Sequence, residues 1–311
     1  MQTQEPFYSA RRLFPRGLEQ PQGSLRFGAD ALLLAAYAAH GVEGMNEARR
    51  KQLTAAELGC GCGAALLALA LRCDTVTGLG LEREAPLVQA ATANALRLGL
   101  ADRLHFAQAD LADRALLAAL PDLPGVNGCK AGSLDLVLAN PPYSVEGRSS
   151  QSHMRERALR GTQGAHVAEN RTQVLKVFCR AAAGLLRHQG YFFCIYDALA
   201  LPHLSSALDA AGFGLRGLLP VRAYASRPAL RVLVLARKNA AHQCAIEAPL
   251  TLHVGKASGG KKGTAQTESG QTDTAQIDTA QTDTAQTDTA QATTGSPRWS
   301  AQALRFCPWL G

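Results

Sequence analysis

Hydrophobic residues in positions 1–255 fall in short runs that alternate with longer segments of helical periodicity. The short runs predict strands at Leu53–Leu58, Thr75–Leu81, Leu104–Ala107, Leu134–Ala139, Tyr191–Tyr196, Phe213–Val221 and Leu230–Ala236. The periodic segments predict helices at Ala64–Arg72, Pro86–Leu98, Leu111–Leu120, Thr172–Leu186 and Ala198–Ala211. Such alternation is typical of an α/β fold with a mostly parallel, doubly wound sheet and helices on both faces. In these folds ligands bind at the carboxyl ends of the strands.

Residues 256–295 lack the apolar positions of a folded segment. A five-residue repeat, TDTAQ with one IDTAQ variant, runs from 272 to 291, and Ile277 is the only large apolar residue between Thr264 and Gly295. Such a segment cannot bury enough surface to offset its ordering entropy. We therefore predict a low-complexity, disordered insertion at 256–295 within one domain formed by 1–255 and 296–311.

The sequence becomes apolar again after Pro297, and both tryptophans, Trp299 and Trp309, lie in this last stretch. It is either an exposed tail or the final piece of the folded domain. Because exposed tryptophan and phenylalanine are unfavourable, we favour the second interpretation. A long surface insertion before it costs only modest loop entropy.

Composition adds a basic balance to this picture. The chain has 32 Lys and Arg against 25 Asp and Glu, and 47% of its residues are hydrophobic, which excludes fibrous and wholly disordered chains. Arginine binds phosphates through two parallel hydrogen bonds. The charge therefore fits an anionic partner such as nucleic acid, although many basic proteins bind nothing anionic.

The eight cysteines are scattered, and no pair has the C-x-x-C spacing of a zinc or redox site. We predict free, buried thiols in a reducing cytoplasm and no bound metal. No apolar segment follows a basic start, and no run approaches the ~18 apolar residues of a spanning helix. We therefore expect a cytoplasmic protein without membrane attachment, and a monomer.

A glycine-rich turn follows the first predicted strand, with the sequence Glu57-Leu58-Gly59-Cys60-Gly61-Cys62-Gly63. Its glycines allow a tight turn and close approach of a ligand, although other α/β enzymes have similar turns. With the preceding acid, E-L-G-x-G-x-G resembles the first motif of the class I S-adenosylmethionine (SAM) methyltransferases, whose Rossmann-like sheet has seven strands. The resemblance implies SAM as cofactor. Glu57 would reach its methionine amino group, and the turn would pack on its nucleoside through Gly59, Gly61 and Gly63.

Two further acids follow the next two predicted strands. A carboxylate that binds ribose is expected at the end of the second strand, and the resemblance predicts it at Gly80. Glu82, two residues later, is our candidate for the ribose hydroxyls, and an exposed loop acid is the alternative. After the third strand, the resemblance implies that Asp110 binds the adenine amino group and that the Leu111 N–H contacts a ring nitrogen. Asp110 would also suit a helix N-cap.

The tetrapeptide Asn140-Pro141-Pro142-Tyr143 directly follows the apolar strand Leu134–Ala139. Two prolines fix the backbone and remove two donors, although such dipeptides also mark plain turns. The Asn140 side-chain oxygen and the Pro141 carbonyl can both accept hydrogen bonds from one exocyclic amine, and Tyr143 offers a flat face to a planar base. We predict that these four residues are catalytic, with Asn140 also bordering the cofactor.

The tetrapeptide resembles the [N/D/S]-P-P-[Y/F] motif of methyltransferases that act on adenine N6, cytosine N4, guanine N2 or a glutamine amide. The segment Arg26 to Ala35, which contains Asp30, resembles the N-terminal signature of the tRNA(Val) adenine-N6 methyltransferases. There it lines the cofactor pocket, although an amphipathic helix capped by aspartate is the alternative. The resemblance implies methylation of adenine N6 in RNA, with tRNA favoured. The alternatives are guanine N2, a glutamine amide, or a non-catalytic module with a degenerate pocket, which Gly80 favours.

An arginine-rich segment at 148–171 follows the tetrapeptide. We predict that it contacts the phosphates of the substrate through Arg148, Arg155, Arg157 and Arg160. A solvated loop is the alternative. His153 and His166 have no spaced metal-binding partner, which is consistent with a protein that holds no metal.

Overall fold

The computed structural model describes residues 5–45, 52–113, 115, 117, 130–142, 167–255 and 297–311. Its helices are α1 (Glu5–Leu13), α2 (Ala29–Glu43), α3 (Ala64–Arg72), α4 (Ala85–Arg97), α5 (Val167–Leu185), α6 (Leu201–Ala210) and α7 (Ala301–Phe306). Its strands are β1 (Leu53–Leu58), β2 (Val76–Glu82), β3 (Leu104–Gln108), β4 (Leu134–Ala139), β5 (Leu186–Asp197), β6 (Phe213–Arg222), β7 (Arg231–Lys238), β8 (Ala245–Ile246) and β9 (Leu250–Thr251). Short 3₁₀ turns lie at Ala198–Ala200 and Pro308–Leu310.

The described strands form one sheet in the order β3-β2-β1-β4-β5-β7-β6. Strands β1 to β5 pair in parallel, whereas β7 is antiparallel to both β5 and β6. Two short strands, β8 and β9, add to the β6 edge, so the seven predicted strands are present with two further two-residue strands. The predicted doubly wound, mostly parallel sheet is therefore confirmed.

Apolar residues cover both faces of the sheet, as expected when parallel strands are flanked by helices. On one face Leu136, Leu138 and Phe193 pack with helices α2 and α3 and with the C-terminal segment. On the other face Val137 and Phe192 pack with α5 and α6. Successive residues of one strand therefore belong to different cores, because side chains alternate across a strand.

The boundaries of β1, α3 and β4 agree with the sequence prediction, whereas β5 and α5 begin earlier than predicted. Strand β5 includes Leu186, assigned to a helix from its periodicity, because Leu186 pairs with Leu134 of β4. The predicted helix at 198–211 is divided, since the Asp197 side chain caps a 3₁₀ turn by accepting a hydrogen bond from Leu199 N at 3.0 Å. The helix predicted at Leu111–Leu120 lies largely outside the described residues.

Residues 297–311 pack against the rest of the domain. Trp299 forms an antiparallel bridge with His253, and Trp309 lies edge-on to Phe14 with ring centroids 5.7 Å apart. The Val254 N–H donates to the Arg298 carbonyl at 3.1 Å, so the chain returns beside the point where it left. The insertion predicted at 256–295 lies outside the described residues, and the predicted domain division therefore stays a prediction.

The seven described cysteines are free thiols, and five of them are buried. Burial raises the pKa of Cys62 to about 12 and that of Cys60 well above its usual value, so neither supplies a thiolate near neutral pH. Cys244 is exposed and Cys73 partly exposed, so the expectation of burial is wrong at these two positions. In the described part of the chain, every helix is too short or too polar to cross a membrane.

Candidate active site

The carboxyl ends of four neighbouring strands bring the predicted site residues to one edge of the sheet. Leu58 at the end of β1 pairs with Leu81 of β2 and with Ala139 of β4. Glu82 at the end of β2 pairs with Gln108 of β3. The glycine-rich turn, Glu82, Asp110 and Asn140 therefore follow adjacent strands, which is where a parallel sheet binds its ligands.

All three glycines of the turn have a positive φ, which other L-residues rarely adopt: +63° at Gly59, +55° at Gly61 and +86° at Gly63. A Cβ on Gly63 would lie 3.0 Å from the Phe106 ring, and one on Gly59 would lie 3.2 Å from the Phe178 ring. A Cβ on Gly61 would meet no atom within 4 Å. Aromatic rings therefore pack against the turn at Gly59 and Gly63, whereas the backbone at Gly61 is open to the approach of a ligand.

Glu57 lies beneath the turn, with only 4% of its surface exposed. Its Oε2 accepts a hydrogen bond from the Leu66 N–H in the first turns of α3 at 2.8 Å. Burial raises the pKa of Glu57 to about 8, against the lowering effect of the Leu66 hydrogen bond, and the charge of Glu82 raises it further. In this structure the carboxyl group holds α3 against β1, and its predicted contact with the methionine amino group stays a prediction.

Gly80 occupies the position where the resemblance predicts a ribose-binding acid, and packing explains the departure. A Cβ at Gly80 would lie 2.3 Å from Phe106 Cδ1 and 2.9 Å from Cys60 Sγ. Phe106 is the register partner of Gly80 on β3, so its ring covers the glycine. Sequence reasoning missed Phe106, although a glycine inside a strand, such as Gly78 or Gly80 in β2, is a known sign of close approach by a neighbour.

Glu82 lies two residues beyond Gly80 and therefore points to the same face of β2. Its Oε2 accepts from the Gly61 N–H at 3.0 Å, and its Oε1 accepts from the N–H groups of Arg83 and Glu84 at 2.8 and 3.1 Å. A carboxylate has about four acceptor sites, so three bonds leave it able to accept another. Glu82 thus braces the open part of the turn and keeps one acceptor position for a hydroxyl group.

Asp110 is exposed at the end of the segment that follows β3. Its Oδ1 accepts from the Ala112 N–H at 2.9 Å, and its carbonyl accepts from the Asp113 N–H at 3.0 Å. These two bonds form an Asx-type turn, a local capping role that aspartate often takes. Leu111 is partly buried in that turn, and the adenine contacts predicted for both residues stay predictions.

Asn140 carries the clearest sign of a missing partner. Its side-chain Oδ1 is buried and accepts no hydrogen bond from any residue that the structure describes. An unpaired buried acceptor costs about 1–3 kcal/mol, so such atoms are usually paired with a ligand or water. Pro141 is buried and Pro142 is partly buried. Because proline has no backbone N–H, neither residue offers a main-chain donor. Tyr143 and the four arginines predicted to bind substrate lie outside the described residues.

Asp30 lies at the same edge of the sheet, in the first turn of α2. Arg231 at the start of β7 pairs with it, with 3.0 Å between Arg231 Nε and Asp30 Oδ2. Arg231 is in turn the register partner of Asp197 at the end of β5. The ion pair joins the N-terminal segment to the strand ends across 201 sequence positions, a contact that nothing in the local sequence signals.

The residues at this edge leave room and hydrogen-bonding capacity for a ligand. The open backbone at Gly61, the remaining acceptor capacity of Glu82 and the unpaired Asn140 oxygen provide space and hydrogen-bond acceptors for donor groups. In the described ranges, no group of three or more His, Cys, Asp or Glu side chains is arranged to hold a metal ion. The open backbone and these acceptors suit an organic ligand that carries hydroxyl and amino groups.

No protein-family model matches the sequence, and no curated protein matches it significantly. Among solved structures, it is similar to a predicted O-methyltransferase from Agrobacterium tumefaciens, with a TM-score of 0.52 and 22% identity over 72% of this chain and 88% of that chain. The human methyltransferase 10 domain containing protein has a TM-score of 0.47 and 12% identity over 76% of this chain and 95% of that chain. TrmN from Thermus thermophilus has a TM-score of 0.43 and 18% identity over 69% of this chain and 54% of that chain.

The Agrobacterium structure, together with the strand order and the antiparallel β7, defines the fold. Sequence identity below one quarter carries no information on substrate, so the comparison concerns architecture alone. The chain therefore has the fold of this predicted O-methyltransferase, with a central sheet of mostly parallel strands and an antiparallel strand near one edge.

Proposed function

We propose that this protein is a SAM-dependent methyltransferase that acts on the exocyclic N6 amine of adenine in RNA, with tRNA as the favoured RNA. The observation that carries the proposal is the buried Oδ1 of Asn140 at the end of β4, which has no hydrogen-bond partner among the described residues. That atom is an acceptor beside the glycine-rich turn, at the position where an amine would meet a cofactor bound over β1. An N–H donor of an exocyclic amine would satisfy it.

Catalysis in this proposal is mainly positioning. When bound, SAM supplies a methyl group on a positively charged sulfur, so the amine needs no strong base. Asn140 Oδ1 and the Pro141 carbonyl would accept the two N–H bonds of the amine and so direct its lone pair at the methyl carbon. The prolines hold both acceptors on a stiff backbone, and the Tyr143 ring would stack on the base.

The cofactor in this proposal spans the carboxyl ends of β1, β2 and β3. Gly59, Gly61 and Gly63 would form the floor, with Gly61 at the closest approach, and Glu82 would accept from the ribose hydroxyls. The remaining contacts would come from Asp30, Glu57, Asp110, Leu111 and Asn140. The absence of an acid at Gly80 favoured a non-catalytic module with a degenerate pocket. However, a larger side chain at Gly80 would collide with the Phe106 ring, and Glu82 presents a carboxylate on the same face of β2.

Replacing Glu82 with glutamine should weaken SAM binding by about tenfold, since a hydrogen bond to a charged acceptor contributes about 1.5–3 kcal/mol. Isothermal titration calorimetry of the purified protein measures this affinity. The matched control is Glu84→Gln, because the Glu84 carboxylate faces Arg83 at 3.5 Å instead of the turn. Equal affinity in the wild type and Glu82→Gln would remove Glu82 from the cofactor site.

The proposal is tested by incubating the protein with labelled SAM and total tRNA, followed by mass spectrometry of the nucleosides. We expect label in N6-methyladenosine. Label in N2-methylguanosine or in a protein glutamine would replace adenine as the substrate while keeping the same chemistry at Asn140. Absence of measurable SAM binding by calorimetry would instead favour a non-catalytic module and contradict the enzyme proposal.

A further inference from the structure

The loop between β6 and β7 lies at the same sheet edge as Asn140. Strand β6 runs parallel to β4 and ends at Arg222, and β7 begins at Arg231, opposite Asp197 at the carboxyl end of β5. Residues 223–230 therefore extend from the edge that holds the proposed active site. In the order β4-β5-β7-β6 three strand spacings separate the end of β4 from that of β6, or about 14 Å.

This loop and the returning C-terminal segment carry positive charge without matching acids. The stretch Arg222–Arg231 contains no Asp or Glu, and Arg227 and the nearby Arg298 are both exposed. Within the described ranges, neither guanidinium group has a carboxylate within ion-pair distance. Arg231 differs, because Asp30 neutralises it. Two exposed arginines thus remain available to an anionic partner.

Aromatic rings lie between these two arginines. The His253 ring packs against both Tyr224 and Trp299, with ring centroids 5.5 and 4.6 Å away and tilted ring planes at 46° and 31°. His253 is 92% buried, since its exposed fraction is 8%, and its Nδ1 has no hydrogen-bond partner among the described residues. Tyr224 and Trp299 are only partly buried, so both residues are accessible from solvent.

Backbone hydrogen bonds hold these three rings in place. The His253 N–H donates to the Ala223 carbonyl at 2.9 Å, which joins β9 and its continuation to the β6–β7 loop. The Ser300 N–H donates to the Leu252 carbonyl at 2.7 Å, which fixes the C-terminal segment on the other side. Three segments distant in sequence therefore present two aromatic residues and two arginines as one preformed surface.

We propose that this arginine–aromatic surface, formed by Arg227, Arg298, Tyr224 and Trp299, binds the RNA strand that flanks the target nucleotide. Arginines that neutralise phosphates and rings that stack on unpaired bases are the two elements of single-strand recognition. The choice of RNA as the partner, instead of a protein, rests on the proposed function. It assigns substrate binding to residues separate from the arginines at 148–160.

The test compares RNA binding by the full-length double variant Arg227→Ala/Arg298→Ala with that by the wild type. Fluorescence anisotropy with labelled tRNA at several salt concentrations gives the affinity and its salt dependence. We expect at least about tenfold weaker binding and a slope of log affinity against log salt that is shallower by about two, one for each lost phosphate contact. Tyr224→Ala should weaken binding by about tenfold with an unchanged slope, since stacking involves no counterion release.

Arg216→Ala is the matched control, because Arg216 lies in the amino-terminal half of β6, toward the opposite edge, and its guanidinium group donates to the Ala241 carbonyl at 3.4 Å. It should leave RNA affinity and slope unchanged, and SAM affinity and the melting temperature should be unchanged in all these variants. Wild-type affinity and slope in the double variant would overturn the proposal. A wild-type protein that binds SAM and methylates a protein but binds no RNA would also overturn it. The two proposals can also separate. If the wild type binds RNA but not SAM, and the variants lose RNA binding, the result would support this surface and contradict the proposed enzyme.

Discussion

Replacing Asn140 with alanine should lower the rate of methyl transfer about 10²–10³-fold, the range measured when one polar group that stabilises a transition state is removed. The reason is that the Asn140 Oδ1 would accept a hydrogen bond from the exocyclic amine of the substrate and so orient it toward the methyl group. SAM affinity should fall by no more than about threefold, because Asn140 would make one cofactor contact among several and the glycine-rich turn and Glu82 are untouched. Single-turnover methylation of tRNA and calorimetry with SAM measure the two quantities separately.

Two further measurements distinguish a catalytic role of Asn140 from a structural one. Asn140→Asp keeps an acceptor at the same place and should retain more activity than the alanine variant. Asn140→Ala removes a buried atom that has no described partner, so its melting temperature should equal or exceed the wild-type value. A normal methylation rate, or a rate loss that parallels a loss of stability, would contradict the assigned role.

Replacing Glu57 with glutamine should flatten the decline in stability of the ligand-free protein between pH 5 and pH 8. Burial raises the folded-state pKa of Glu57 from 4.5 to about 8, so in this range the folded state binds a proton that the unfolded state has lost. Stability from this group is therefore full below the unfolded pKa and is lost as the pH rises through the folded pKa. Each pKa unit corresponds to about 1.4 kcal/mol, so the decline removed by the substitution is on the order of 4 kcal/mol.

Urea unfolding at a series of pH values gives the free energy of unfolding for both proteins. Glu43→Gln serves as the control, because burial of Glu43 is outweighed by its hydrogen bond and charge interaction with Arg72, which lower its pKa. That variant should keep the wild-type decline over this interval. Parallel pH profiles for Glu57→Gln and wild type would show that the buried carboxyl is already ionised in the folded protein over this pH range, and would contradict the prediction.

The sequence was sufficient to predict those features that depend on residues close together in the chain. Strand β4 is an apolar run stopped by two prolines, and β1 runs into glycines that adopt positive φ, so both strand ends follow from short-range constraints. The placement of Glu82 on the face of Gly80 also follows from the two-residue repeat of a strand. These features sufficed to predict a parallel sheet with a ligand site at its carboxyl edge.

Contacts between distant segments were not predictable in this way. The covering of Gly80 by Phe106 depends on the register between β2 and β3, and the Asp30–Arg231 ion pair joins the first and last thirds of the chain. The extension of β5 to Leu186 depends on pairing with Leu134, which overrides the helical periodicity of that segment. In each case a partner from elsewhere in the chain decides the outcome.

The sequence by itself thus determined the fold class, the glycine-rich turn and the candidate acceptor Asn140, because backbone preferences and side-chain chemistry act over a few residues. Only the tertiary structure decided that Glu57 is buried beneath the turn, that the Asn140 oxygen has no partner among the described residues, and that the Tyr224, His253 and Trp299 rings pack together. The physical reason is that burial and hydrogen-bond satisfaction depend on every segment packed around an atom. A local pattern contains only the residues beside it in the chain.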